Sequence, residues 1–163
     1  METVFGILTV EDWMAFLRIA VGLWWLESVR HKPLRKFVSG QMTNWVSDLA
    51  DNHPVPAYGT LIKRTVVPSA SWFPYLNLAG ELAVGIGLVF GIFTPFAALV
   101  AIFLNLNYLA LAGVRPTKDI NVNRCYQCEQ GQNLMMIASE IVIFATGAWA
   151  VWSLDSLLGL FQL

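Results

Sequence analysis

Between Phe73 and Ile92 the chain is long and apolar enough to cross a bilayer, and it carries one charged side chain there, Glu81. Three other segments are also mostly apolar over such a length, so the expected spans are about 12–30, 72–92, 95–113 and 133–153. In lipid a backbone must satisfy its own hydrogen bonds, which leaves helices or closed barrels. A barrel needs many short alternating strands, and no such pattern is present. The expected fold is all-α: one domain over residues 1–163, an integral membrane four-helix bundle with an amphipathic interfacial helix in the loop 31–70. Composition agrees: 13% of residues are charged, against roughly 25% in a soluble domain. The net charge of −1 offers no basic surface, so no nucleic-acid partner is expected.

The segment "METVFGILTV" has no Lys or Arg and no small-residue cleavage site follows it, so the first span is expected to be retained rather than removed as a signal. Thr9 with Asp12 three residues on has the form of a capping box opening a helix. Arg30, Lys32, Arg35, Lys36, Lys63 and Arg64 lie between spans one and two, and Arg115, Lys118 and Arg124 between three and four. The positive-inside rule puts both loops in the cytoplasm and both termini outside.

Gly91 is placed to end the second span, Thr94 to cap the third and Pro95 to open it. In the first loop, Leu34, Phe37, Val38, Met42, Trp45, Val46 and Leu49 recur at helical spacing beside Lys and Arg. Two readings fit that stripe: a helix in the membrane surface or one packed on the bundle.

Charges within spans must face protein or water. At 100° per residue Arg18 shares a face with Gly22 and Trp25, and Glu140 shares one with Asn133, Met136, Phe144 and Gly147. Asn105 sits on a stripe of Ala98, Ala101 and Ala112. Ala79, Ala83, Gly87 and Gly91 form a small-residue ladder suited to close packing, with Glu81 pointing away from it beside Gly85 and Leu88. The expectation is an interior cluster in which Arg18 meets Glu81. It is either a register-setting ion pair or a proton-handling, quinone-headgroup site. Glu27, on another face near the end of span one, reads as structural, snorkelling or pairing with His31.

Cys125 and Cys128, the two cysteines of the chain, form a CxxC and are the redox thiol candidates. In a reducing cytoplasm the pair should rest as thiols. Plain loop cysteines are the other reading. A zinc site needs two further ligands, and nothing in the spacing of His31 and His53 supplies them, so no metal is assigned.

The segment "GELAVGIGLVFGIFTPFAAL" carries Glu81, Gly85, Leu88, Gly91 and Thr94 in the order Glu-x3-Gly-x2-Leu-x2-Gly-x2-Thr. With Arg18, Gly22 and Lys32 before it and Leu154–Asp155 after the last span, the chain resembles the DoxX/DoxD-like family of small four-helix membrane proteins. The CxxC and the long first loop are not part of that pattern. The resemblance implies a bacterial or archaeal plasma membrane and membrane lipid as surroundings. It also implies a membrane or peripheral redox protein as partner, since the namesake members are subunits of a thiosulfate:quinone oxidoreductase. If that role carries over, a quinone is the cofactor, with none bound covalently. Arg18 and Glu81 are then the catalytic candidates, joined by Glu140, with Asn105 as the cofactor-binding candidate. No CxxCH, GxGxxG or cluster-binding cysteine set is present, so the chain reads as a subunit of an oxidoreductase and not as a self-sufficient enzyme. The alternative is a non-catalytic accessory subunit of a larger respiratory or photosynthetic complex. A solute carrier fits poorly without an inverted repeat.

Overall fold

The computed structural model describes Thr3–Val4 in backbone, and residues 8–118 and 125–161. Arg124 of the second basic loop, most of the N-terminal tail and residues 162–163 lie outside the described residues. Apart from a two-residue antiparallel pairing of Thr3–Val4 with Leu8–Thr9, the regular structure is helical. The helices are α1 (Val10–Arg30), α2 (Leu34–Lys36), α3 (Met42–Asp51), α4 (Pro56–Thr65), α5 (Phe73–Phe90), α6 (Thr94–Ala112), α7 (Tyr126–Ala145) and α8 (Leu154–Leu157). Two of them, α5 and α6, are long and apolar enough to cross a membrane. In α1 the charges of Glu11, Asp12, Arg18, Glu27 and Arg30 dilute the apolar run, and α7 opens on Gln127, Glu129, Gln130, Gln132 and Asn133.

The chain divides into two compact units. One comprises Met1–Arg30, Gly80–Leu104 and Met136–Leu163, the other His31–Ala79 and Asn105–Met135.

In the first unit, α1 begins with the expected capping box. Thr9 N and Oγ1 both donate to Asp12 Oδ2 at 2.9 Å, and Asp12 N donates to Thr9 Oγ1 at 3.3 Å. Its inner face is Ala15, Arg18, Val21, Gly22 and Trp25. At Gly22 an added Cβ would stand 2.7 Å from Val89 N, and at Gly85 2.6 Å from a Leu26 methyl. Those two glycines let the α1 and α5 backbones approach closely. The expected ladder is thus only half present: Gly87 packs against Ala97 and Gly91 is buried, but Ala79 and Ala83 are exposed. Helix α5 ends as expected at Gly91 (φ +63), where Ile92 N closes back on Gly87 O. Helix α7 stops at Ala145, short of the expected end at 153. Gly147 (φ +65) takes the same left-handed conformation, and Ala148 N closes on Ile143 O.

In the second unit the amphipathic stripe packs against protein. Met42, Val46 and Leu49 are buried with Leu111 and Ala112 of α6, and Phe37, Trp45, Tyr58, Ile62, Val66 and Phe73 surround them. The helix is also broken. Gly40 adopts φ +130, and the backbone between α2 and α3 widens into a π turn over Phe37–Gln41. Helices α3 and α4 cross at Gly59, where a Cβ would meet Ala50 O at 2.3 Å.

Polarity is inverted relative to a water-soluble globule. Arg18, Asn105, Glu140 and Asp155 are 0% exposed and Glu81 1%, while Phe96 and Phe103 are 57% and 64% exposed. Along α6 the outward residues Phe96, Leu99, Val100, Phe103 and Leu106 oppose the buried Ala98, Ala101 and Asn105, as the sequence periodicity predicts. Asn133 and Glu140 of α7, and Gly147 just past its end, are buried as expected, but Phe144 points outward and Ile143 takes the inner position.

Candidate functional site

Arg18 does not meet Glu81. Its Nη1 donates to Leu88 O at 3.0 Å and its Nη2 to Trp152 O at 2.6 Å. The opposite charge acting on it is that of Asp155. The reason is register. Gly22 lies against Leu88 and Val89, and Leu26 against Gly85, which places Arg18 level with Gly91. Glu81 is about ten residues further along, or ~15 Å at helical rise.

Asp155 organises the junction. Its Oδ1 accepts from Phe93 N at 2.7 Å and its Oδ2 from Thr94 N at 2.8 Å, so a distant carboxylate caps the first turn of α6. This displaces the expected cap: Thr94 is buried inside the helix, Phe93 (φ +50) precedes it, and Thr94 Oγ1 makes no hydrogen bond among the described residues. Asp155 N donates to Gly91 O at 2.8 Å. Ser153 Oγ donates to Trp149 O and accepts from Ser156 N at 3.0 Å, holding α8 in place. Gly91 is required here twice over. Its φ suits glycine, and a Cβ would lie 2.0 Å from Arg18 Nη1 and 2.4 Å from Ser153 Cβ.

The two other buried acids, Glu81 and Glu140, belong to the same unit. Trp25 Nε1 donates to Glu140 Oε1 at 3.0 Å, so the face that carries Arg18 also holds the acid of α7. Glu81 lies on the stripe of α5 defined by Gly85 and Leu88, the residues that touch α1. Glu27 pairs with Arg30, three residues on, at the exposed end of α1.

Asn105 is buried in the second unit, as is Asn77, which accepts from Tyr108 Oη at 2.9 Å. His53 lies within 2.9 Å of Ala110 O through Nε2, and its Nδ1 lies 3.0 Å from Val55 N and 3.1 Å from Val55 O, with the ring packed at a tilt against Tyr58. These contacts commit His53 to joining the α3–α4 loop to α6. Burial pushes the Tyr58 phenol above the usual tyrosine range. Cys125 and Cys128 are joined by a disulfide rather than standing as thiols; Cys125 immediately precedes α7, and the two Cα atoms, 5.3 Å apart, lie at a spacing that a bridge can close.

Sequence reasoning passed over Asp155 and Trp25 as site residues. Each left a signal: Asp155 is the acid of the Leu154–Asp155 pair, and Trp25 falls on the Arg18 face.

Residues 13–113 match the protein family described as DoxX, a segment that contains α1, the first loop, α5 and α6. The chain belongs to the DoxX family. Neither the curated proteins nor the solved structures yield a match. The DoxX match takes in Arg18, Gly22, Glu81, Gly85, Leu88, Gly91 and Thr94. Glu140, the cysteine pair and Asp155 lie beyond it. In this DoxX-family membrane protein, Arg18, Gly91 and Thr94 are thus drawn together by one contact network, with Asp155 as its anchor.

Proposed function

We propose that the chain is a four-span DoxX-type subunit of a membrane redox complex, in which α1, α5, α6 and α7 cross the bilayer and the buried acids handle protons for quinone chemistry. The observation that carries this reading is the inverted polarity. Arg18, Glu81, Glu140 and Asp155 are wholly buried while Phe16, Phe90, Phe96 and Phe103 are exposed, an arrangement that water penalises and hydrocarbon favours. On this reading the basic loops face the cytoplasm of a bacterial or archaeal cell.

A quinone headgroup needs hydrogen-bond donors for its carbonyls and apolar walls for its ring. Arg18 Nε and Thr94 Oγ1 are buried donors with no hydrogen-bond partner among the described residues, both beside the Asp155 junction, and they suit that demand. The quinone, when bound, supplies the electron acceptor. Arg18 and Thr94 hold it, and Glu81 and Glu140 take up or release protons. Asn105 remains a cofactor-binding candidate on its burial.

The test is quinone reduction by the complex purified in mild detergent with its co-eluting partner. Glu81→Gln should lower the rate by about 100-fold while thermal unfolding is unchanged. An unchanged rate in a folded variant overturns the proton role. One observation favours the accessory reading: both terminal nitrogens of Arg18 are committed to backbone carbonyls, a use that builds structure. Co-elution with a large energy-converting complex, with no loss in Glu81→Gln, supports that reading instead.

A further inference from the structure

The cysteine pair stands apart from the quinone reading and carries chemistry of its own. Cys125 precedes the first turn of the 20-residue α7, and its carbonyl accepts from Cys128 N at 3.1 Å and Glu129 N at 3.2 Å. Its Sγ accepts from Cys128 N at 3.2 Å. Cys125 is half-buried and Cys128 exposed, so both sulfurs are within reach of solvent. The bridge spans a separation of three residues. A loop that short removes little chain entropy when closed, and the helical hydrogen bonds already hold the turn. Stapling is therefore a poor account of it.

We propose that Cys125 and Cys128 form a thiol–disulfide exchange site for a small thiol or disulfide compound, with Cys125 as the nucleophile and Cys128 as the resolving thiol. A helix N-terminus and a backbone N–H directed at Sγ both favour the thiolate of Cys125. Cys128 lies within the helix and its sulfur receives no such bond among the described residues. Glu129, four residues past Cys125, lies on the same helical face.

The chemistry balances without a further reagent. The Cys125 thiolate attacks one sulfur of an external disulfide, forming a mixed disulfide and releasing the first external thiolate. Cys128 then attacks Cys125 Sγ, closing the internal bridge and releasing the second. The external disulfide is reduced by two electrons, the pair is oxidised by two, and the two thiol protons leave with the released thiolates. The reverse sequence oxidises two external thiols.

The experiment uses the full chain in detergent or nanodiscs, with glutathione disulfide as the probe. Reduced protein should pass to the internal disulfide and release two equivalents of glutathione. Cys128→Ser should trap a stable mixed disulfide at Cys125, visible as a glutathione adduct by intact mass. Cys125→Ser, with an ordinary thiol left, should form that adduct about ten-fold more slowly at pH 7. Absence of exchange by the reduced protein, or equal trapping rates in the two variants, overturns the proposal and leaves a structural bridge. Neither outcome bears on Glu81 or quinone reduction, so the two readings fail separately.

Discussion

At the scale of single residues, Asp155 does more than any other side chain. It caps α6 through Phe93 and Thr94 and balances the buried charge of Arg18. Removing the carboxylate takes away an acceptor from the Phe93 and Thr94 N–H groups and the counter-charge that acts on buried Arg18. Asp155→Asn should therefore cost about 2–4 kcal/mol in thermal unfolding in detergent. Combined with Arg18→Gln, the loss should fall well short of the sum of the two single losses, the sign of coupling in a double-mutant cycle. Additive losses would mean that the two residues stabilise the fold independently. Tyr58 offers a pH prediction. Its folded-state pKa is raised by burial, so the unfolded chain releases the phenolic proton first as pH rises. Stability contributed there is intact below the ordinary tyrosine pKa of about 10 and falls as pH climbs through it toward the raised folded value. Tyr58→Phe should flatten that alkaline decline in a stability–pH series. The His53–Tyr58 contact was not legible in the sequence, because the two residues meet only when the α3–α4 loop folds back.

At the scale of elements, glycine contacts decide how helices meet. Gly22 and Gly85 set the closest approach of α1 to α5, with main-chain atoms of the facing helix among their neighbours. Gly22→Leu should push the helices apart and cost about 2 kcal/mol or more as overpacking, read as a lower unfolding temperature in detergent. Gly40→Ala should behave differently. No described atom lies within 4 Å of its added Cβ, so the cost is the φ of +130 alone, about 1–3 kcal/mol. Equal losses in the two variants would show that close contact at Gly22 does not govern how α1 meets α5. Helix starts and stops were largely visible in advance. The Thr9–Asp12 box and the Gly91 terminus are local chemistry, written within a few residues. The cap of α6 was not visible, because its carboxylate comes from a residue 61 positions away from Thr94. The interrupted α2–α3 helix was missed since a stripe at helical spacing persists across a glycine kink.

For the whole molecule the governing quantity is the solvent. A surface of exposed Phe, Leu and Val over buried Arg, Glu and Asn is expected to stay with the membrane pellet through an alkaline carbonate wash. A C-terminal reporter should score outside the cytoplasm if the basic loops face in. Release into the supernatant would undo the four-span reading, and a cytoplasmic reporter would invert the orientation while leaving the bundle untouched.

The sequence by itself determined the solvent, the helical class, the capping chemistry and which side of most helices turns inward. Those properties follow from hydrophobicity and a 3.6-residue period, both of which act locally along the chain. It set the angle at which Arg18, Glu81 and Glu140 project, but not their height relative to one another. Height is fixed by where helices touch, and in α1 and α5 that is where Gly22 and Gly85 admit a neighbouring helix. Only the tertiary structure could therefore bring the charge of Asp155 to bear on Arg18 and bond Trp25 to Glu140, since relations across more than a hundred residues depend on the register of packed helices.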